Sequence, residues 1–260
     1  MPPVPQLSFT LYKRCTIALL IFAAFNIFLG QFTNIDLVIQ DYYFDAVTQQ
    51  FPWKSTWFAK DLMHGYIKYV ITDIGRVLWL VVIVDFVFSY RKPWRMINPW
   101  WRIRLRFVAI ASFMIAALAP LLKHFSMLHC PWDIARYGGY APFLRLFDAV
   151  PSTMQAGHCF PAGHANVGLW LAALCVFWLP HKPKTAFAVF MAGLSVGFAL
   201  GWVQQMRGAH FLFHTLWSTW IACFVILTLL SFTRSLHITS LHNTTLHNTS
   251  LRKTSLYKID

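Results

Sequence analysis

Residues 105–123 read LRFVAIASFMIAALAPLLK. From 105 to 122 the only charge is Arg106, near the start, and the run ends on Lys123. That length and apolarity match the roughly 20 residues a helix needs to cross the hydrocarbon core of a bilayer. Five further runs lie outward from it: about Cys15–Phe32, Tyr69–Tyr90, Ala165–Leu179, Thr185–Val203 and Phe211–Phe232. The segment at Ala165 is short and extends back toward Gly163. Together they predict an all-α, polytopic membrane protein: a bundle of six transmembrane helices. Gly193, Gly197 and Gly201 recur at four-residue spacing, which predicts close helix packing through small residues. The chain is 57% hydrophobic and 12% charged with a net charge of +13. A disordered chain is poorer in apolar residues, and a soluble nucleic-acid binder spreads its cations over a polar surface. No nucleic-acid partner is expected.

The charge separates by loop. One side holds 14 of the 22 Lys and Arg residues against a single acid, Asp260. The other side holds seven cations (Lys54, Lys60, Lys68, Lys123, Arg136, Arg145, Arg207) and six aspartates. All nine acids are Asp; there is no Glu. The positive-inside rule places the first side, with both termini, in the cytoplasm. The second run carries Asp73, Arg76 and Asp85, and Asp73–Arg76 reads as an ion pair near the helix end. The basic loop Arg91–Arg106, with Trp94, Trp100 and Trp101, reads as an interfacial segment on anionic lipid. The first run lacks a small-residue cleavage site and reads as a retained anchor. Residues 1–235 form one membrane domain. Residues 236–260 repeat LHITS, LHNTT, LHNTS, LRKTS and read as a low-complexity, disordered cytoplasmic tail, whose His237, His242 and His247 bind metal weakly at most.

Seven of the eleven histidines fall on the outer side: His64, His124, His129, His158, His164, His210 and His214. Three short motifs stand out. Lys123 is followed, six residues on, by Cys130–Pro131. Pro161-Ala162-Gly163-His164 opens the fourth run. Arg207-Gly208-Ala209-His210, then His214, opens the sixth. The charge map alone puts all three on one face of the membrane.

In these motifs the chain resembles the type 2 phosphatidic acid phosphatase superfamily of membrane lipid-phosphate phosphatases. The family pattern is Lys-x6-Arg-Pro, Pro-Ser-Gly-His, and Ser-Arg-x5-His-x3-Asp. The resemblance implies a six-helix bundle with its site at the outer ends of the third to sixth spans. It implies Lys123 as a phosphate-binding lysine, His164 as the acid that protonates the leaving group, and His210 as the nucleophile. His214 stands where the family has the aspartate that orients the nucleophile. No cofactor and no metal are implied. The chain departs from the pattern at Cys130, Ala162, Gln204 and His214. Phosphoryl transfer needs charge on the equatorial oxygens. Arg207 and Arg136 are the nearby cations that replace the lost ones, and Pro161 with Gly163 favours a turn that offers N–H groups to an anion. His214, backed by Asp133 or Asp148, would orient His210.

Cys15, Cys175 and Cys223 fall in apolar runs; Cys130 and Cys159 are the two outside them. In an oxidising periplasm they either form a disulfide that ties the first motif to the second or stay as thiols. The expected protein is therefore a phosphatase in a bacterial inner membrane, acting on a membrane lipid phosphate or pyrophosphate at the periplasmic face. A lipid phosphotransferase would use the same residues. A metal-dependent enzyme built on His210, His214 and His164 or His158, and a membrane protein without catalytic activity, are the alternatives from other classes. The sequence carries no information on oligomeric state.

Overall fold

The computed structural model describes residues 4–91 and 97–233. The repeat tail and Trp94 lie outside the described residues. Among these residues the chain is all-α; the only β-type pairings are isolated bridges, Asp45 with Gln50 and Ile134 with Ala141. In chain order the helices are α1 (Phe9–Phe32), α2 (Ile35–Tyr43), a π-helix (Trp57–Ile67) that runs into α3 (Lys68–Arg91), α4 (Pro99–His124), α5 (Gly163–Leu169), α6 (Pro183–Met206) and α7 (Leu212–Thr233). α5 continues as a 3-10 helix over Trp170–Phe177. Four of them, α1, α4, α6 and α7, are long and apolar enough to cross a membrane. α3 has 24 residues but carries the charged residues noted above, and the α5 unit is shorter.

Local chemistry sets the helix ends. Ser8 caps α1 by accepting from the Leu11 N–H, and Asn98 caps α4 by accepting from the Trp100 N–H at 2.9 Å, with Pro99 as the first helical residue. The bundle core lies between α4, α5, α6 and α7, where Ala165, Leu169, Ala172, Ala173, Leu200 and Ala222 are buried. The glycine row of α6 explains the tight fit. A Cβ on Gly193 would strike the backbone at Leu171 and Ala172; one on Gly197 would strike Leu169; one on Gly201 would strike Thr215 of α7. Glycine there lets helix backbones touch, so contact area replaces side-chain bulk.

The arginines at the start of α4 correct one expectation. Arg102 and Arg106, one turn apart, both reach Asp85 of α3, at 2.9 and 2.8 Å, and that carboxylate is only 6% exposed. Arg104, on another face, is fully buried. It donates to the carbonyls of Val176 (3.0 Å), Leu179 (2.7 Å) and Trp100, and its guanidinium lies over the Trp100 ring. The Val176 and Leu179 carbonyls lie at the end of the 3-10 helix, so a buried cation satisfies its negative end. The three arginines thus join α3, α4 and the α5 unit rather than lie on lipid: a buried charge is tolerated only when paired and hydrogen-bonded. The Asp73–Arg76 pair is present at 2.7 Å on the exposed face of α3.

α1 is peripheral and buries only Asn26 and Gly30. Gly30 sits against the Phe213 ring, and two long-range hydrogen bonds hold the helix to α7: the Trp220 indole to the Leu19 carbonyl, 2.9 Å, and the Thr233 hydroxyl to the Pro5 carbonyl, 2.8 Å.

Candidate active site

The turn from α6 to α7 builds the centre of the site. α6 ends at Met206, and Gly208 takes a left-handed conformation at φ +71°. The Gly208 N–H donates to the Gln205 carbonyl (2.9 Å) and the Ala209 N–H to the Gln204 carbonyl (2.8 Å). This is the Schellman pattern, and it explains Gly after Arg207. A Cβ at Gly208 would also run into the Phe51 ring. α7 then starts at Leu212, so His210 lies two residues ahead of the helix and His214 lies in its first turn. The two therefore do not share a helix face; the turn ahead of α7 brings them together.

That cap is supplied from far away. Asp36, in the first turn of α2, accepts from the Phe213 N–H at 3.0 Å and from the Leu212 N–H. It does for α7 what a local Asp or Ser does for most helices, using charge as well as hydrogen bonding. Burial pushes the Asp36 carboxyl up to about 6, against the pull of those two N–H groups. Gln40, one turn on in α2, donates to the His210 carbonyl at 3.0 Å. α2 therefore fixes the backbone that runs between the two histidines.

The side chains converge. The Nδ1 atoms of His210 and His214 are 3.4 Å apart, and both residues are buried. Nδ1 of His210 also lies 3.4 Å from Sγ of Cys159. Its Nδ1 side is thus occupied by neighbours, and Nε2 is the nitrogen left for chemistry. Burial first, then the charges of His214, Lys123 and His164, hold the His210 imidazole well below its ordinary range. It is neutral at pH 7, and Nε2 carries the lone pair when the proton sits on Nδ1. Rings of Phe160, Phe211 and Phe213 surround His214 at centroid distances of 5.5 to 6.3 Å. The carboxylate of Asp148 is engaged elsewhere, by the Gln31 amide and the Arg145 N–H. Asp133 uses its backbone carbonyl to hold Tyr140 and Ala141. The acid that meets this part of the chain is Asp36.

His164, the second residue of α5, stands between two other histidines. Its ring centroid is 6.2 Å from that of His210 and 4.6 Å from that of His64. Lys123, at the last turn of α4, points its ammonium at the start of α5: a Cβ placed on Gly163 would be 3.8 Å from Nζ. A side chain at 163 would stand in that contact. Arg207 donates to the Gln204 side chain at 3.0 Å, and its Nε is buried without a partner. Lys68, Lys123 and Arg207 all act electrostatically on His164. Burial, then Arg207 and Lys68, holds the His64 imidazole below its usual range. His64 comes from the π-helix, an element frequent at functional sites.

Of the residues named from sequence, the structure gathers His210, His214, His164, Lys123, Gly163 and Arg207. It does not gather Arg136. Asp41 of α2 takes that guanidinium with both oxygens, at 2.8 and 2.7 Å, on an exposed surface; Tyr137 adds its hydroxyl to the same carboxylate. Arg136 fastens the outer loop to α2. Cys130 and Cys159 are joined by a disulfide, with Cα atoms 5.3 Å apart, which links the loop after α4 to the segment before α5. The sulfurs lie with a His210 nitrogen in a cluster within 4.8 Å, but a disulfide offers no thiolate to a metal. Sequence reading missed Asp36, Gln40, His64 and Lys68. For His64 the available signal was its place among the outer histidines; for Asp36 and Gln40 there was none within reach of the motifs.

A family model described as the PAP2 superfamily matches residues 103–237. That is more than half of the chain and spans α4 to α7, and the chain belongs to this superfamily of phosphatases. No curated protein and no solved structure matches it.

Proposed function

We propose that the chain is an integral membrane phosphatase that hydrolyses the phosphate or pyrophosphate ester of a lipid through a phosphohistidine. The observation that carries the reading is the buried His210–His214 contact beside Lys123 and His164. With Nδ1 of His210 turned to His214, Nε2 attacks phosphorus. The bound phosphate anion favours uptake of a proton by His164, and the P–O bond to the leaving group breaks as His164 gives that oxygen this proton. Water then attacks the phosphohistidine with His164 as base, free phosphate leaves, and both histidines return to their starting states. Lys123, Arg207 and Lys68 neutralise the phosphoryl oxygens; no carboxylate pairs with any of the three among the described residues, so the substrate is their anion. His64, whose ring meets that of His164 at an interplanar angle of 35°, packs against the proposed acid. His214 fixes the tautomer of His210 without the negative charge that an aspartate would bring.

In this reading α3 and the α5 unit cross the bilayer beside the other four, giving six spans. The cation excess of the opposite loops puts both termini in the cytoplasm and the histidines on the outer, periplasmic side. The test is phosphate release by the purified chain from phosphatidic acid, phosphatidylglycerol phosphate and an isoprenyl diphosphate, beside His210→Ala. Wild type releases phosphate from at least one, and the variant from none. A variant as active as wild type refutes the mechanism. Release without any lipid substrate being accepted, from a soluble phosphate ester alone, refutes the lipid assignment.

A further inference from the structure

A groove of about 700 Å³ runs between α1 and the ends of α5, α6 and α7. Its walls include Leu11, Cys15 and Leu19 of α1, Cys175, Phe187 of α6 and Cys223 of α7. It lies at the end of the bundle away from the histidines. Lys184, on its edge, is the second residue of α6, and Arg207 follows the last, about 35 Å along the helix axis.

Three observations say what fits there. Apart from Lys184 and the three thiols the lining is hydrocarbon, and water in such a space finds too few hydrogen-bond partners to be held. The groove borders α1, which has the length and apolarity of a membrane span yet buries only Asn26 and Gly30. The part of α1 along the groove faces the bundle across this space, held by the Trp220–Leu19 and Thr233–Pro5 hydrogen bonds. The mouth carries a cation: Lys184 sits on it, on the exposed first turn of α6.

We propose that this groove holds one hydrocarbon chain of an anionic phospholipid, whose phosphate meets Lys184. The lipid completes the packing of α1 against α6 and α7, as protein side chains do elsewhere in the core. Its headgroup lies at the end opposite the phosphatase site, so it is a bound structural lipid and not the substrate.

The full chain in dodecyl maltoside, titrated with dioleoyl phosphatidylglycerol or dioleoyl phosphatidylcholine and read by native mass spectrometry, tests this. Wild type retains phosphatidylglycerol in preference to phosphatidylcholine. Ala18→Trp, on the groove wall, fills the space and removes one phosphatidylglycerol adduct. Lys184→Ala, an exposed change that leaves the core intact, lowers the preference for the anionic lipid roughly fivefold. Phosphate release by Lys184→Ala stays at the wild-type rate, which separates this lipid from the substrate. Equal retention of the two lipids by wild type, or an unchanged adduct count in Ala18→Trp with an unchanged preference in Lys184→Ala, overturns the proposal.

Discussion

At the start of α4, Arg102 and Arg106 close on the buried carboxylate of Asp85, and Arg104 gives its guanidinium to the last carbonyls of the α5 unit. At the other end of the same helix Lys123 faces the start of α5 with no carboxylate opposite it, and Arg207 stands nearby with a buried, unpartnered Nε. The first set of cations is consumed within the fold. The second is assembled by the fold and left without an internal anion. Buried charge is costly unless paired, so an unmatched set marks where an anion from outside belongs. Cations at the first end serve stability; those at the second serve anion binding in the proposed mechanism.

That difference can be broken by mutation. The largest effect is expected from Lys123→Ala: phosphate release falls about a hundredfold or more, as when other charge-stabilising groups of a transfer site are removed. Thermal stability in detergent does not fall, because no internal partner is lost. A loss of stability with unchanged turnover would reverse the assignment. Next comes Arg104→Met. Two buried carbonyls lose their donor, and unfolding becomes easier by about 3 kcal/mol. The fraction that remains folded keeps its turnover per molecule, measured by activity against helical signal on heating.

Asp36→Asn sharpens the boundary between the two kinds of charge, because Asp36 caps α7 yet is itself buried. Its folded carboxyl titrates near 6, against 3.8 when free. The ionised form is therefore disfavoured in the fold, and wild type loses stability as pH rises from about 4 through about 6. The loss amounts to roughly 3 kcal/mol at full ionisation. Asn keeps the acceptor and removes the charge. The variant matches wild type below pH 4 and melts higher above pH 6; a gap that closes with rising pH would show the opposite sign. The smallest effect is expected from Arg136→Ala, which breaks an exposed, solvent-screened pair with Asp41. Turnover changes little, and a large loss of phosphate release would return Arg136 to the site.

Much of this architecture is written in local pattern. The apolar runs predicted every long helix, because hydrophobic length is a property of contiguous residues. The three motifs brought out His164, His210, His214, Lys123 and Arg207, because each sits at a helix end whose position follows from those runs. What escaped was set by contacts distant in the chain. Asp36 caps a helix 177 residues away, and Gln40 reaches His210 across 170. Arg136, six residues from Cys130, looked like a substitute for the missing cation; Asp41, 95 residues away, holds it outside the site. Arg102, Arg104 and Arg106 at the start of α4 looked like lipid anchors because sequence shows charge but not the buried carbonyls and the aspartate that meet it. His64 reached the site through a π-helix, whose register no apolar period announces.

The central claim is that His210 carries the phosphoryl group. Wild type and His210→Ala are mixed with lipid bearing a ³²P-labelled phosphate, quenched within a turnover, and analysed for protein-bound label. The account predicts label on wild type that survives alkali, is lost in acid and maps to the peptide containing His210, with none on the variant. Label on another residue, or rapid phosphate release by the variant, would contradict it.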